Sequence, residues 1–191
     1  MSELTLRLFG DDGGDLWESG ADAEAVLGRG RNLVDGAMPA AGSVMALNLL
    51  RLADLTGEER WRDSGVQLLR RRLGRMGGHP AAHAQLLIAL DYALGPTQQI
   101  VISQGTTGRG EGFLAEVRQR FLPRAVYLLA GSGRDDLAAR SQLAAVHAAP
   151  GTDTVARLCS WQACQPLAGT PRALGRQLDA VLARISAATP P

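Results

Sequence analysis

Apolar residues recur with a helical period through the first half of the chain. From about Pro39 to Leu55 they cover most of the helix circumference, which predicts a helix packed on several sides. From about Glu58 to Arg75 they occupy one side only, as in an outer helix with one face in water. The stretch from about Ala81 to Leu94 is again apolar nearly all round. This order of inner, outer and inner helices with short connections predicts packed helical hairpins.

The pattern changes after Gly95 and Pro96, which end the third helix. Short apolar runs bounded by turn residues then predict buried strands over residues 99–103, 125–130 and 154–159. Helices are predicted over residues 113–122, 135–148 and 171–185, and strands that alternate with helices favour parallel pairing. The sequence therefore predicts a mainly α protein with a small α/β lobe. We expect helical hairpins in residues 1–95, and a short, largely parallel three-stranded sheet with helices in residues 96–191.

The first 34 residues carry a weaker pattern. Leu4, Leu6 and Leu8 alternate with polar residues, which fits either a short strand or the end of a helix. The Asp-Asp-Gly-Gly run at residues 11–14 predicts a turn, because adjacent Asp and Gly residues allow tight backbone geometry.

Composition narrows the class of protein. Apolar residues make up 46% of the chain and charged residues 20%, which is typical of a globular protein. All the basic residues are arginines, so a P-loop lysine and a Schiff-base lysine are excluded. The net charge of +1 gives no basis for capture of nucleic acid or an acidic membrane surface, and no apolar run is long enough to span a membrane. Two cysteines without a secretory signal predict a cytoplasmic location.

Four pieces of the chain, taken in order, resemble one known family. They are Asp35-Gly36-Ala37 with Pro39 and Ser43, the run from Ala46 to Gly57, the run from Ala89 to Pro96 with Ile100-Val101-Ile102, and Cys159 with Cys164-Gln165. This order is similar to the C-terminal part of the YyaL-like thioredoxin-domain proteins. The resemblance implies α-helical hairpins of an (α/α) toroid, related to those of sugar epimerases and six-hairpin glycosidases.

The chain departs from the family pattern in two respects. The family's Ser-Gly-Asn-Ser run is here Ala40-Ala41-Gly42-Ser43, which removes two polar side chains. We also expect a truncated relative, without the thioredoxin domain, its cysteine pair or most of the hairpins, so the family's redox activity is not carried over. Three helices do not close a toroid. Their open face must be covered by the α/β lobe, by a second copy of the chain in a homodimer, or by a separate partner subunit.

The resemblance places the segment from Asp35 to Arg51 beside the central cavity of a toroid, where loops and helix ends meet ligands. The candidate ligand-binding residues are Asp35, Ser43, Asn48 and Arg51. The competing interpretation is structural: Asp35 ends a loop, while Asn48 and Arg51 satisfy each other on a polar strip.

Two further patterns have only partial chemical signatures. His79 and His83 are four residues apart, a spacing compatible with metal binding or acid–base chemistry. Pro80 favours a loop position for His79, and without an HExxH pattern or a third ligand we predict no metal site; His83 stays a tentative ligand contact. The glycine-rich residues 105–112 follow a strand and precede a helix, where backbone N–H groups can cradle an anion. Their spacing favours a surface turn, and we predict no cofactor.

Cys159 and Cys164 form a C-x4-C pair, unlike the C-x-x-C of thioredoxin-like redox sites. They can bridge if the four residues between them turn back tightly. Otherwise they are two reduced, partly buried thiols, with Arg157 as the local cation that can favour a thiolate.

Two functions are compatible with these patterns, and the sequence does not decide whether the protein is an enzyme. The first is a non-catalytic scaffold or subunit of a larger assembly, favoured because convincing pairs of catalytic carboxylates or histidines are missing. The second is a protein that binds or modifies a carbohydrate-like small molecule, in the manner of an epimerase or a glycosidase, near residues 35–51.

Overall fold

A computed structural model of the chain describes residues 1–24, 28–106, 108, 110–131, 141–147, 151–160 and 163–188. The chain divides into two compact units. The helical unit comprises Met1–Ala53 and Glu58–Gly95, and the sheet unit comprises Asp54–Gly57 and Pro96–Pro191. No helix among the described residues is both long and apolar enough to cross a membrane.

The helical unit begins with α1 (Ser2–Phe9), so the ambiguous leucine alternation near the N-terminus belongs to a helix. It continues with α2 (Ala41–Thr56), whose last residues count with the sheet unit, and α3 (Glu59–Leu73). A 3-10 turn (Pro80–His83) leads into α4 (Ala84–Leu94). The three predicted helices are therefore confirmed with small shifts at their ends, except that the first turn of the third is a 3-10 turn. A closed toroid is not among these elements.

Gly65 of α3 lies against α2. A Cβ atom at this position would lie 3.2 Å from Leu49 Cβ and from Leu50 Cγ, and 3.3 Å from the carbonyl oxygen of Ala46. The missing side chain allows the two helices to pack backbone against side chain, as ridges fill grooves. Around this point α3 buries one face, as predicted, through Trp61, Gly65, Leu68, Leu69 and Arg72.

Helix α4 buries one face rather than its whole circumference. Leu86, Ala89 and Tyr92 are buried, at the spacing of a single helical face. By contrast, the side chains of Ile88 and Leu94 are 47% and 69% exposed. The prediction of an inner helix is wrong for α4 within this chain, because apolar composition alone does not ensure that a partner covers every face.

The sheet unit contains a mixed four-stranded sheet in the order β2-β1-β3-β4. The strands are β1 (Gln98–Gln104), β2 (Ala125–Gly131), β3 (Val155–Ser160) and β4 (Ala163–Cys164). β1 pairs with β2 in parallel, through the crossover helix α5 (Gly110–Arg118), but β3 is antiparallel to both β1 and β4. The predicted three-stranded, largely parallel sheet is therefore corrected. The connection after β2 does not fix the direction of β3, and a two-residue strand is too short to leave a hydrophobic pattern.

One face of the sheet carries the main core of this unit. Ile100, Ile102 and Leu158 pack against α5 and against α7 (Pro171–Ala188). A short helix, α6 (Gln142–His147), also contacts β1, and the hydroxyl of Ser141 just before it donates to the carbonyl oxygen of Leu55. The helix predicted over residues 135–148 is thus present at 142–147; Ser141 precedes the helix, and residues 135–140 and 148 lie outside the described ranges. The predicted closing helix is confirmed and extends to Ala188.

Candidate functional site

The Asp35 carboxylate joins the starts of two helices. Its Oδ1 accepts the backbone N–H of Ala40 at 2.9 Å, just before α2, and its Oδ2 accepts the N–H of Leu86 at 3.0 Å, in the first turn of α4. The backbone N–H of Asp35 also donates to the carbonyl oxygen of Ala82 at 2.8 Å. A carboxylate is favoured at a helix N-terminus by the unpaired N–H groups and by the helix dipole. Asp35 therefore serves as a double helix cap.

Ser43 and His83 flank this double cap. Each lies three residues along the chain from a backbone group that Asp35 bonds, since Ser43 follows Ala40 and His83 precedes Leu86. Their side chains are buried, with 0% and 4% of the surface exposed. Within the described residues, neither Ser43 Oγ nor His83 Nδ1 has a hydrogen-bond partner. Buried polar atoms usually find partners, so these two are uncompensated polar groups beside the cap in the sequence.

Asn48 and Arg51 have different surroundings. Asn48 is exposed on α2, whereas Arg51 is half-buried. The Arg51 guanidinium lies 5.7 Å from the centre of the Tyr92 ring, a cation–π distance, and its Nε is buried with no hydrogen-bond partner in the described part of the chain. The sequence suggested that Asn48 and Arg51 satisfy each other, but Arg51 instead faces an aromatic ring of α4.

A buried ion cluster holds the N-terminal segment to α3. The Asp15 carboxylate is fully buried and accepts Arg72 Nε at 3.0 Å and Arg75 Nη1 at 2.9 Å. It also accepts the N–H of Leu16, while Arg72 Nη1 donates to the carbonyl oxygen of Asn32 at 3.0 Å. Sequence reasoning missed this cluster, because partners 57 residues apart leave no local signal.

Gly42 makes room for this cluster. A Cβ atom at Gly42 would lie 2.1 Å from the Cζ and Nε atoms of Arg72. The glycine in the Ala40-Ala41-Gly42-Ser43 run therefore has a steric role, since any side chain there would displace a buried guanidinium.

Asp11 stands at the edge of the same cluster, in a salt bridge with Arg31. Partial burial raises the pKa of Asp11, but the hydrogen bond from the backbone N–H of Asp15 and the charge of Arg31 outweigh that effect. The pKa of Asp11 therefore lies below its ordinary value, and the carboxylate stays charged at neutral pH.

The remaining candidates do not form a chemical site. His79 is exposed and His83 is buried, so their four-residue spacing does not bring them together on an open surface. A Cβ atom at Gly105 would lie 2.1 Å from the carbonyl oxygen of Thr152, so this glycine permits a close backbone approach; residues 107 and 109 of the loop lie outside the described ranges. Within those ranges no three His, Cys, Asp or Glu side chains are grouped as a metal ion requires.

Cys159 and Cys164 are joined by a disulfide. They face each other in the antiparallel pairing of β3 with β4, so the bridging alternative is confirmed. Cys159 is 4% exposed, whereas Cys164 is exposed on the edge strand.

Together, these features define a protein of two units in which Asp35 bonds the chain's own backbone, while Ser43 and His83 carry buried polar atoms without partners among the described residues. Over 138 residues the chain is 35% identical to spermatogenesis-associated protein 20 of Homo sapiens, a match that covers 67% of this chain and 18% of that protein. The protein of the same name from Rattus norvegicus is 35% identical over 133 residues, covering 68% of this chain and 17% of its own length. The chain thus spans less than a fifth of these curated relatives. No protein-family profile and no solved structure matches it.

Proposed function

We propose that this chain is a non-catalytic scaffold or subunit related to the YyaL-like family. The observation that carries the proposal is the engagement of the Asp35 carboxylate with the backbone N–H groups of Ala40 and Leu86. A carboxylate with both oxygens committed to helix caps has a structural role already and does not need a substrate. The similarity to spermatogenesis-associated protein 20 supports the relationship, and the resemblance supplies the family.

The outer face of α4 provides the contact surface of this scaffold. We define it by the exposed residues Ile88 and Leu94 together with the half-buried residues Leu87 and Leu90. A surface helix normally carries polar residues on this side, and an exposed apolar face is typical of an interaction surface. The occupant that we propose is a second copy of the chain. An apolar helix face can pack against its own copy about a twofold axis, the commonest symmetry of soluble oligomers.

Light scattering at micromolar concentration tests this dimer. We expect twice the chain mass of 20.1 kDa for the wild type. Ile88→Glu combined with Leu94→Glu places two charges in the contact and should give the monomer mass. Phe121→Glu is the matched control, because Phe121 is an exposed apolar residue of the sheet unit and its replacement should leave the dimer intact. A strictly monomeric wild type contradicts the homodimer. If the same face binds a different subunit instead, the scaffold role stands but the partner is not a second copy of the chain.

A second candidate function is the binding of a carbohydrate-like molecule near residues 35–51. It is favoured by Ser43 Oγ and His83 Nδ1, two buried polar atoms near the double cap in the sequence that have no partner in the part of the chain that the structure describes. A thermal-shift screen with sugars and sugar phosphates tests it. Stabilisation of the wild type that disappears in Arg51→Ala supports this function, and Asp12→Ala is an exposed control. A flat screen favours the scaffold.

A further inference from the structure

The Cys159–Cys164 disulfide is asymmetric in its access to solvent. Cys159 is buried, and Cys164 is exposed on β4, the two-residue strand at the edge of the sheet. A thiolate breaks a disulfide only by reaching one of its sulfurs in line with the bond. An external thiol therefore has access to Cys164 and not to Cys159.

Arg157 lies on the same face of β3 as Cys159, because side chains two residues apart in a strand point to the same face. Arg157 is half-buried, and its Nε is buried without a hydrogen-bond partner among the described residues. A cation beside a cysteine stabilises the thiolate, and a more stable thiolate leaves faster in exchange.

We propose that the Cys159–Cys164 disulfide is a thiol–disulfide exchange site whose substrate is a dithiol reductant. A thiolate of the reductant attacks Sγ of Cys164, forming a mixed disulfide as the Cys159–Cys164 bond breaks with its electron pair on Cys159 Sγ. The second thiolate of the reductant attacks its own first sulfur and releases Cys164 as a thiolate. The protein disulfide gains two electrons, the dithiol becomes a disulfide, and its two protons pass to the cysteines. This site does not depend on the proposed scaffold role.

Backbone hydrogen bonds hold the sheet together when the disulfide is reduced. The pairing of β3 with β4 consists of Cys159 opposite Cys164 and Ser160 opposite Ala163. Beyond it, the N–H of Gln165 donates to the carbonyl oxygen of Leu158 at 2.8 Å, and residues 156 and 168 exchange two backbone hydrogen bonds of 2.8 and 2.9 Å. These bonds keep the returning segment on β3 after the disulfide opens. Reduction therefore opens the bridge while the sheet unit stays folded.

The wild-type protein shows which of the two sulfurs an external thiol attacks. Air-oxidised full-length chain is incubated with glutathione under native conditions, quenched with acid and digested, and the mixed disulfide is located by peptide mass. We expect glutathione on Cys164 at least tenfold more often than on Cys159. Equal labelling, labelling of Cys159, reaction only in denaturant, or oxidised protein that contains no disulfide would each overturn the proposal.

Variants test the roles of the two cysteines and of Arg157. Cys159→Ser keeps the thiol of Cys164, and Cys164→Ser keeps the thiol of Cys159. The Cys164 thiol should react with a chromogenic disulfide at least tenfold faster than the Cys159 thiol, and the two rates should be equal in denaturant. Arg157→Gln should slow native reduction several-fold and shift alkylation of Cys159 in the Cys164→Ser background to higher pH. Arg172→Gln, an exposed arginine of α7, is the control. If Arg157→Gln leaves the rate of reduction and the pH profile unchanged, Arg157 does not stabilise the Cys159 thiolate. Equal reactivity of the two thiols would overturn the proposed exchange site.

Discussion

The double cap made by Asp35 predicts a defined loss of stability in Asp35→Ala. This substitution leaves the N–H groups of Ala40 and Leu86 without their acceptors at the starts of α2 and α4. Loss of one N-cap costs about 1 kcal/mol, so two caps give about 2 kcal/mol. With a urea dependence of about 2 kcal/mol per molar, the unfolding midpoint should fall by about 1 M. The measurement is urea unfolding followed by helical circular dichroism, because the lost bonds are in the helical unit.

Two controls refine this prediction. Asp35→Asn keeps one carbonyl oxygen as an acceptor. It should therefore be destabilised by about 1 kcal/mol, half as much as Asp35→Ala. Asp12→Ala removes an exposed aspartate and should stay within about 0.5 kcal/mol of the wild type. If Asp35→Ala is as stable as Asp12→Ala, the capping argument fails and Asp35 is available for a ligand.

Three further predictions concern packing and charge. Gly65→Val should destabilise the helical unit by about 1–3 kcal/mol through overpacking, while Gly78→Val, with open space around it, should be far milder in the same urea assay. Asp15→Asn should cost about 3 kcal/mol, because it leaves the Arg72 guanidinium buried without its counter-charge; an effect below about 1 kcal/mol would refute the cluster's importance. The pKa of Asp11 is lowered in the folded state, so its stabilisation is present above the unfolded value of 3.8 and is lost as the pH falls below it. Asp11→Asn should flatten that acid dependence of the urea midpoint, and an unchanged slope would contradict the shift.

The sequence predicted elements better than it predicted their partners. Helices α2 and α3 were predictable because their apolar residues recur at a helical period within a single stretch. The parallel pair β1 and β2 was predictable because a crossover helix separates two apolar runs. The direction of β3 was not, since register and direction depend on contacts between residues 98 and 160 that no local pattern encodes.

The candidate site shows the same limit. The sequence singled out Asp35 and His83 from their types and positions, but not the bond from Asp35 to Leu86, 51 residues away. Likewise, Asp15 and Arg72 have ordinary local surroundings in the sequence, and only the fold buries them together. Long-range pairs decide whether a polar residue is an internal partner or a ligand contact, and residue type alone does not distinguish these roles.

These internal bonds constrain any ligand of the helical unit. A ligand that draws the Asp35 carboxylate away from its caps must release the backbone N–H groups of Ala40 and Leu86. At about 2 kcal/mol this release weakens binding by about 30-fold. A ligand that bonds Ser43 Oγ or His83 Nδ1 displaces no hydrogen bond within the described residues. Binding that persists in Asp35→Asn but is lost in Ser43→Ala therefore indicates that the ligand contacts Ser43 rather than Asp35. In that case the double cap positions the binding residues and does not contact the ligand.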